Sequence, residues 1–328
     1  MTTTTERITT MPTTTPTTPG AQTVADALSR FTAGTMTPPA AAAAATPTTP
    51  PVATGSRISF PRPNGEAYYP RIVDGSTHDV ALLRSARGSV LTDNLYVLLY
   101  GEPGTGKTAA FEAAFPDGLT LSGDGDTTTD DFVGSWVQNP DGTYEWVDGP
   151  LIIAMENGLP FLIDEVALID TKVMALVYSA MDGRGEIRIK ANPARGIIKA
   201  QPGFYVVGAC NPNAPGARMS EALTSRFSLH IEATTDYDLA KAIGVPAKAI
   251  TVAKNLDSKR SSGEVAWAPQ MRELLAFKRT SERFSVGMAV ANLIGIAPED
   301  DRAIVADVVS RAFGAAVANL RQGAAATA

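Results

Sequence analysis

The chain has 328 residues, 44% of them hydrophobic, and carries 28 Lys and Arg against 34 Asp and Glu for a net charge of −6. That is enough apolar material for a sizeable core in at most two domains, and the acidic balance tells against a protein that coats nucleic acid by bulk electrostatics. One cysteine, Cys210, excludes a disulfide framework and points to the reducing cytoplasm, while two histidines, His78 and His230, argue against a zinc cluster or a Cys/His nucleophile.

Residues 1–55 are mostly Thr, Pro and Ala and offer too little apolar surface to offset the entropy of ordering, so a disordered tail is expected. Within it "VADALSRF" has helical spacing and reads as a docking helix or a transient one. The opening stretch has no apolar core of the secretory kind, and no run approaches the roughly 18 apolar residues of a membrane span. Next, "RPNGEAYYPR" reads as a small hairpin. From 56 to 235, apolar runs suited to buried strands (95–100, 159–165, 204–210, 228–233) alternate with helical patterns. One such pattern begins after Asp170, a capping residue, and puts Val173, Leu176, Val177, Ala180 and Met181 on one core-facing stripe. Beyond Asp236 the strand signal ends, and "MRELLAFKR", "VGMAVANLIGI" and "DRAIVADVVSRAF" read as successive helices. The expected fold is α/β: a mainly parallel sheet flanked by helices over 56–235, followed by a small all-helical domain over 236–328 with a short disordered end.

The chemistry begins after the first strand, at "GEPGTGKT". Glycines at Gly101, Gly104 and Gly106 allow the backbone N–H groups of a tight loop, through Glu102, Pro103 and Thr105, to wrap phosphate oxygens, and a helix opening at Lys107, Thr108 and Ala109 presents its positive end. Lys107 would meet the outer phosphates and Thr108 would hold Mg²⁺. A second strand ends in Asp164, fit for the Mg²⁺ shell, and Glu165, fit to polarise an attacking water. A third ends in Asn211, a neutral group that orients water or phosphate, or opens an Asn-Pro turn.

In order and spacing, "GEPGTGKT", "FLIDE", "NPN" and "ALTSRF" resemble the AAA+ ATPases. The insert "DDFVGSWVQNPDGTYEWVDGPLIIAMENG" is similar to that of the MoxR and dynein-related branch, which includes CbbQ- and NirQ-like activators. The resemblance implies an AAA+ P-loop core with hairpin inserts and a helical lid. It also implies ATP and Mg²⁺ as ligands, with hydrolysis of ATP to ADP and phosphate. Lys107, Thr108, Asp164 and Glu165 take the Walker roles, Asn211 that of sensor 1, Arg226 that of an arginine finger reaching a neighbour's nucleotide, and Arg272 that of sensor 2. Arg218 lies in the same loop as Arg226 and shares or takes the finger role in an alternative reading; in another, Arg226 pairs with Glu232 or Asp238 of its own chain. The further implications are a ring, as a hexamer, and remodelling of a client or adaptor protein such as one with a von Willebrand factor A domain. Two competing readings are a nucleic-acid-linked motor of the same branch and a scaffold that uses ATP only to assemble.

Two hairpins suggest where such a ring would grip a client. In "GSWVQNPDGTYEWVDG" the turn is flanked by Trp136, Tyr144 and Trp146, which either contact a moving polypeptide or staple their own strands. In "EIRIKANPARGIIKA", Ile187 and Ile189 are expected to face Ile197 and Ile198, while Arg188, Lys190, Arg195 and Lys199 make it basic. The stretch "AYYPRIVDGSTHDVALLRSAR", which would flank the base, carries no base-specific signature.

Overall fold

A computed structural model describes residues 57–314 and 318–322. The segment 1–55, with its helix-spaced "VADALSRF", and most of the extreme C-terminal end lie outside the described residues. The chain enters through an antiparallel hairpin, β1 (Phe60–Pro61) and β2 (Ala67–Tyr68). Its Asn-Gly turn closes with Gly65 N–H donating to Arg62 O at 2.9 Å. Helix α1 (Asp79–Ala86) follows, its first turn satisfied by the His78 ring, which accepts from Ala81 N–H at 3.0 Å.

Five parallel strands make the core sheet: β3 (Val97–Tyr100), β4 (Leu119–Ser122), β7 (Pro160–Asp164), β10 (Tyr205–Cys210) and β11 (Leu229–Glu232), in the order β11-β3-β10-β7-β4. The apolar runs form the three interior strands because helices cover both faces: Val97 to Leu99, Phe161 to Ile163 and Tyr205 to Cys210 are all buried. Strand β4 was not foreseen. It sits at the edge, with Leu119 and Leu121 buried and Thr120 and Ser122 exposed, so it alternates instead of forming a continuous apolar run.

The crossovers are helical: α2 (Lys107–Ala114), α3 (Thr129–Val133), α4 (Pro150–Asn157), α5 (Thr171–Met181) and α6 (Glu221–Arg226). Asp170 caps α5, its carboxylate accepting from Lys172 N–H at 2.7 Å. The stripe is wider than expected, with Met174 and Tyr178 also buried and Val173 and Leu176 only half-buried.

Both insert hairpins form. Strands β5 (Gly134–Gln138) and β6 (Tyr144–Asp148) place Trp136 opposite Trp146, and β8 (Glu186–Arg188) and β9 (Ile197–Lys199) place Ile187 opposite Ile198. Ile197 lies opposite Arg188 instead and is 49% exposed, which corrects the expected apolar facing of that pair. A one-residue difference in register moves a side chain to the other face.

After β11 the chain is helical: α7 (Tyr237–Ala242), α8 (Ala247–Ser261), α9 (Met271–Arg283), α10 (Val286–Gly295) and α11 (Arg302–Phe313). These helices enclose an apolar cluster of their own, in which Leu256, Leu274, Leu293 and Val305 are buried. Helix α8 has a weak sequence signal because its buried positions, Ala249, Ile250, Val252, Ala253 and Leu256, include small residues and stand among charged neighbours.

Candidate active site

Neighbouring positions in the sheet bring three strand ends together: β3 leads into the glycine-rich loop, β7 into Asp164 and Glu165, and β10 into Asn211. The loop needs its glycines. Gly101 has φ 139°, and a Cβ there would lie 2.4 Å from Ala233 O at the exit of β11. Gly104 has φ 82°, and its Cβ would lie 2.9 Å from Arg272 Cβ. Both positions therefore require a left-handed or strained backbone and a close approach, which glycine alone meets without strain.

Lys107 is 6% exposed at the start of α2, and its ammonium donates to Gly101 O at 2.8 Å and Glu102 O at 3.0 Å. Burial pushes its pKa below the ordinary lysine value, opposed by the carboxylates of Glu165 and Asp164. Thr108 Oγ1 donates to Asp164 Oδ2 at 2.7 Å. A threonine hydroxyl beside a carboxylate is a hard oxygen pair that fits Mg²⁺, an ion that takes the rest of its shell from water and phosphates.

Glu165 adopts φ 53° and ψ 37°, the one positive-φ non-glycine among the described residues. This left-handed backbone costs on the order of 1–2 kcal/mol. It is tied on two sides: Glu165 N–H donates to Asp164 Oδ1 at 3.0 Å, and Glu165 Oε2 accepts from Asn211 N–H at 3.3 Å. Asn211 is buried, and its side-chain oxygen accepts from Asn213 N–H at 3.1 Å.

A cleft of about 390 Å³ opens between these groups and the C-terminal helices, lined by residues 103–109, Asp164, Glu165 and Arg272. Arg272 sits in the first turn of α9, where its N–H donates to Gly104 O at 3.0 Å. The other wall comes from Ala67, Tyr68, Tyr69 and Arg71, within the stretch expected to flank the base, and from Ile243, Met271 and Leu275. At its centre, Arg71 donates to Thr105 O at 2.8 Å, Thr234 O at 2.7 Å and Tyr68 Oη at 3.2 Å, and forms an ion pair with Asp79 at 3.6 Å. Tyr68 Oη in turn donates to Asp79 Oδ2. The Asn-Gly turn showed the hairpin in the sequence, but nothing local tied Arg71 to a loop 34 residues away.

The Glu102 and Arg226 side chains do not line this cleft. The Glu102 carboxylate takes part in a second cleft of about 250 Å³, where it accepts from Asn213 Nδ2 at 3.2 Å and pairs with Arg260 at 3.1 Å. Arg226 ends α6, ahead of β11, and β11 runs parallel to β3, with Leu229 opposite Val97 and Glu232 opposite Tyr100. It therefore lies at the end of the sheet away from its own glycine-rich loop. It is exposed, stacks over the Tyr178 ring at 5.7 Å, and has no ion pair with Glu232, Asp238 or any other described residue. Arg218 is also exposed, and its N–H donates to Ala167 O at 2.7 Å, so it belongs with the Glu165 end of the sheet.

The five-stranded parallel sheet flanked by helices, the glycine-rich loop and the helical C-terminal region are the AAA+ P-loop fold. Residues 96–227, less than half of the chain, match the AAA domain of the dynein-related subfamily. Two uncharacterized proteins of Staphylococcus aureus, from strains USA300 and NCTC 8325, are each 33% identical over 150 residues, covering 42% of this chain. The match spans 56% of the length of those relatives. A solved structure from Cytophaga hutchinsonii, described as a candidate ATPase, is 17% identical with a TM-score of 0.38, over 63% of this chain and 73% of its own. Among the described residues no helix is long and apolar enough to cross a membrane.

Proposed function

We propose that this chain is an ATP-hydrolysing remodelling motor of the MoxR-like type, acting in the cytoplasm as a ring, in the form of a hexamer, on a client or adaptor protein such as one with a von Willebrand factor A domain. The match of residues 96–227 to a dynein-related AAA domain supports ATP chemistry of this class. The observation that carries the reading is the meeting of three strand ends, where Thr108 bonds Asp164 at 2.7 Å and Glu165 bonds Asn211 at 3.3 Å beside a cleft of about 390 Å³.

Thr108 and Asp164 are the residues that would hold Mg²⁺, and bound Mg²⁺ supplies charge neutralisation on the phosphate oxygens. Lys107, now bonded to two backbone carbonyls, exchanges them for phosphate oxygens. The Asn211 backbone holds the Glu165 carboxylate in place, so that it orients a water and accepts its proton. Arg272, on the far wall, brings α9 onto the phosphates and closes the cleft against water. Arg226, at the end of the sheet away from its own loop, would serve a neighbouring subunit, and such arginines are worth about 10³ to 10⁵ in rate.

The test mixes two separately inactive variants, Lys107→Ala, which keeps its arginine, and Arg226→Ala, which keeps its phosphate loop. Recovery of ATPase activity on mixing is expected. Two folded, co-assembled variants that remain inactive together would overturn the composite site.

A further inference from the structure

Glu102 stands in the glycine-rich loop, yet its carboxylate faces the second cleft and not the first. From it runs an unbroken series of hydrogen bonds. Glu165 Oε2 accepts from Asn211 N–H at 3.3 Å, Asn211 Oδ1 from Asn213 N–H at 3.1 Å, and Glu102 Oε1 from Asn213 Nδ2 at 3.2 Å. The same Glu102 oxygen accepts from Arg260 Nη1 at 3.1 Å, and Arg260 Nη2 donates to Asp257 at 2.9 Å. Arg260 and Asp257 are both on α8, so a series of six residues, linked through side chains and two backbone N–H groups, joins the catalytic end of β7 to the helical region without passing through the nucleotide cleft.

On this basis, and resting on the ATPase reading above, we infer that Asn213, Glu102 and Arg260 are positioning residues that couple the placement of α8 to the placement of Glu165. One oxygen of Glu102 serves both neighbours. A shift of α8 that takes Arg260 away removes the counter-charge of the acceptor that Asn213 Nδ2 uses and frees it to move, and the Asn213 N–H in turn holds the Asn211 side chain that follows β10. The nucleotide end acts on the same residue. Glu102 O accepts from Lys107 Nζ at 3.0 Å and from Thr105 Oγ1 at 2.9 Å, so when Lys107 turns to phosphate the Glu102 backbone loses a charged donor. Occupancy of the phosphate loop and the position of α8 therefore converge on Glu102. Both are read out at Glu165, whose backbone is already held in the left-handed region.

The test is a kcat against KM comparison for ATP with Asn213→Ala, Arg260→Ala and the pair together, plus Arg260→Lys as the conservative variant. Each single change is expected to lower kcat by about tenfold or more, as a small misplacement of a catalytic group does. Nucleotide affinity stays within about threefold, because neither side chain faces the first cleft. The pair is expected to be no worse than the poorer single variant, since both interrupt one path, and Arg260→Lys, which keeps a charge for Glu102, recovers part of the loss. Effects that multiply, or that appear equally in KM, would overturn the coupling. A second readout is independent of turnover: hydrogen exchange on adding a non-hydrolysable ATP analogue. In the wild type, protection changes at both 211–213 and 247–261. In Asn213→Ala the change at 211–213 is expected to disappear while that at 247–261 persists; an unchanged response at both segments refutes the inference. A wild type that binds the analogue but does not hydrolyse ATP would sink the ATPase reading alone, with exchange still deciding the coupling.

Discussion

Glu165, proposed to orient the attacking water, has an unfavourable backbone. Its φ of 53° is one that a residue with a Cβ adopts only at a cost, and the bonds from Asn211 and to Asp164 hold it there. Comparing two replacements isolates that cost, because neither retains the carboxylate. Glu165→Gly is expected to be more stable than Glu165→Ala by about 1 kcal/mol in denaturant unfolding, although glycine is normally the more destabilising substitution. Both should abolish turnover while leaving nucleotide binding in place. Lys107 makes a second residue-scale prediction. Its folded pKa is lowered from 10.5, chiefly by burial. Between that lowered value and 10.5 the unfolded chain binds more protons, so stability of the free protein rises with pH across the window. Phosphate binding requires the charged form and has the opposite slope. Nucleotide affinity is expected to fall with rising pH, beginning below 10.5, and Lys107→Arg, which does not titrate there, should flatten the fall in a binding titration.

At the scale of the element, the two insert hairpins behave as one unit. Trp136 and Trp146 meet edge to face with centroids 5.7 Å apart, and Trp136 Nε1 donates to Ala191 O, in the turn of the second hairpin, at 3.2 Å. Arg195 of that turn pairs with Asp148 of β6 and Glu156 of α4, both at 2.8 Å, and Lys199 pairs with Glu186 at 2.8 Å. Half of the expected basic charge is thus neutralised internally, leaving Arg188 and Lys190 exposed. The tryptophans serve as a staple, although Trp136 is 51% and Tyr144 63% exposed, so the outer face remains open to contact. Replacing Trp146 with Leu is expected to lose about 1 kcal/mol of stability beyond that of a cavity, the usual worth of an aromatic pair, measured by denaturant midpoint. A Trp146→Phe protein should retain most of it.

Over the whole molecule, the helical region makes polar contacts with the glycine-rich loop, Arg272 N–H on Gly104 O and Arg260 on Glu102, and with the N-terminal hairpin, Arg279 on Glu66 at 3.2 Å. The exposed Arg279–Glu66 pair is worth about 1 kcal/mol or less, and the other two are single polar contacts, so the cleft is free to change shape around a ligand. A nucleotide that bridges both walls should then tie them. At 100 times its Kd, ATP with Mg²⁺ is expected to stabilise the fold by about 2.7 kcal/mol, seen as a rise in Tm. Lys107→Ala should remove that rise.

What the linear sequence determined was local chemistry. A loop such as "GEPGTGKT" needs glycines at set intervals, and an apolar run that ends in two acids or in Asn211 announces a buried strand with a polar tip. These signals lie within a few residues of one another, which is why three of the five core strands and residues 103–109, Asp164 and Glu165 of the cleft were legible. The fourth, β11, was legible too, whereas the edge strand β4 and helix α8 were not, because their burial depends on neighbours far along the chain. Only the tertiary structure decided that the Glu102 carboxylate turns from the first cleft toward Arg260, 158 residues on, that Arg71 binds Thr234 across 163 residues, and that Arg226 stands at the far end of the sheet. Side-chain direction is set by which charges and carbonyls the folded chain brings within hydrogen-bonding distance, and sequence spacing carries no information about those.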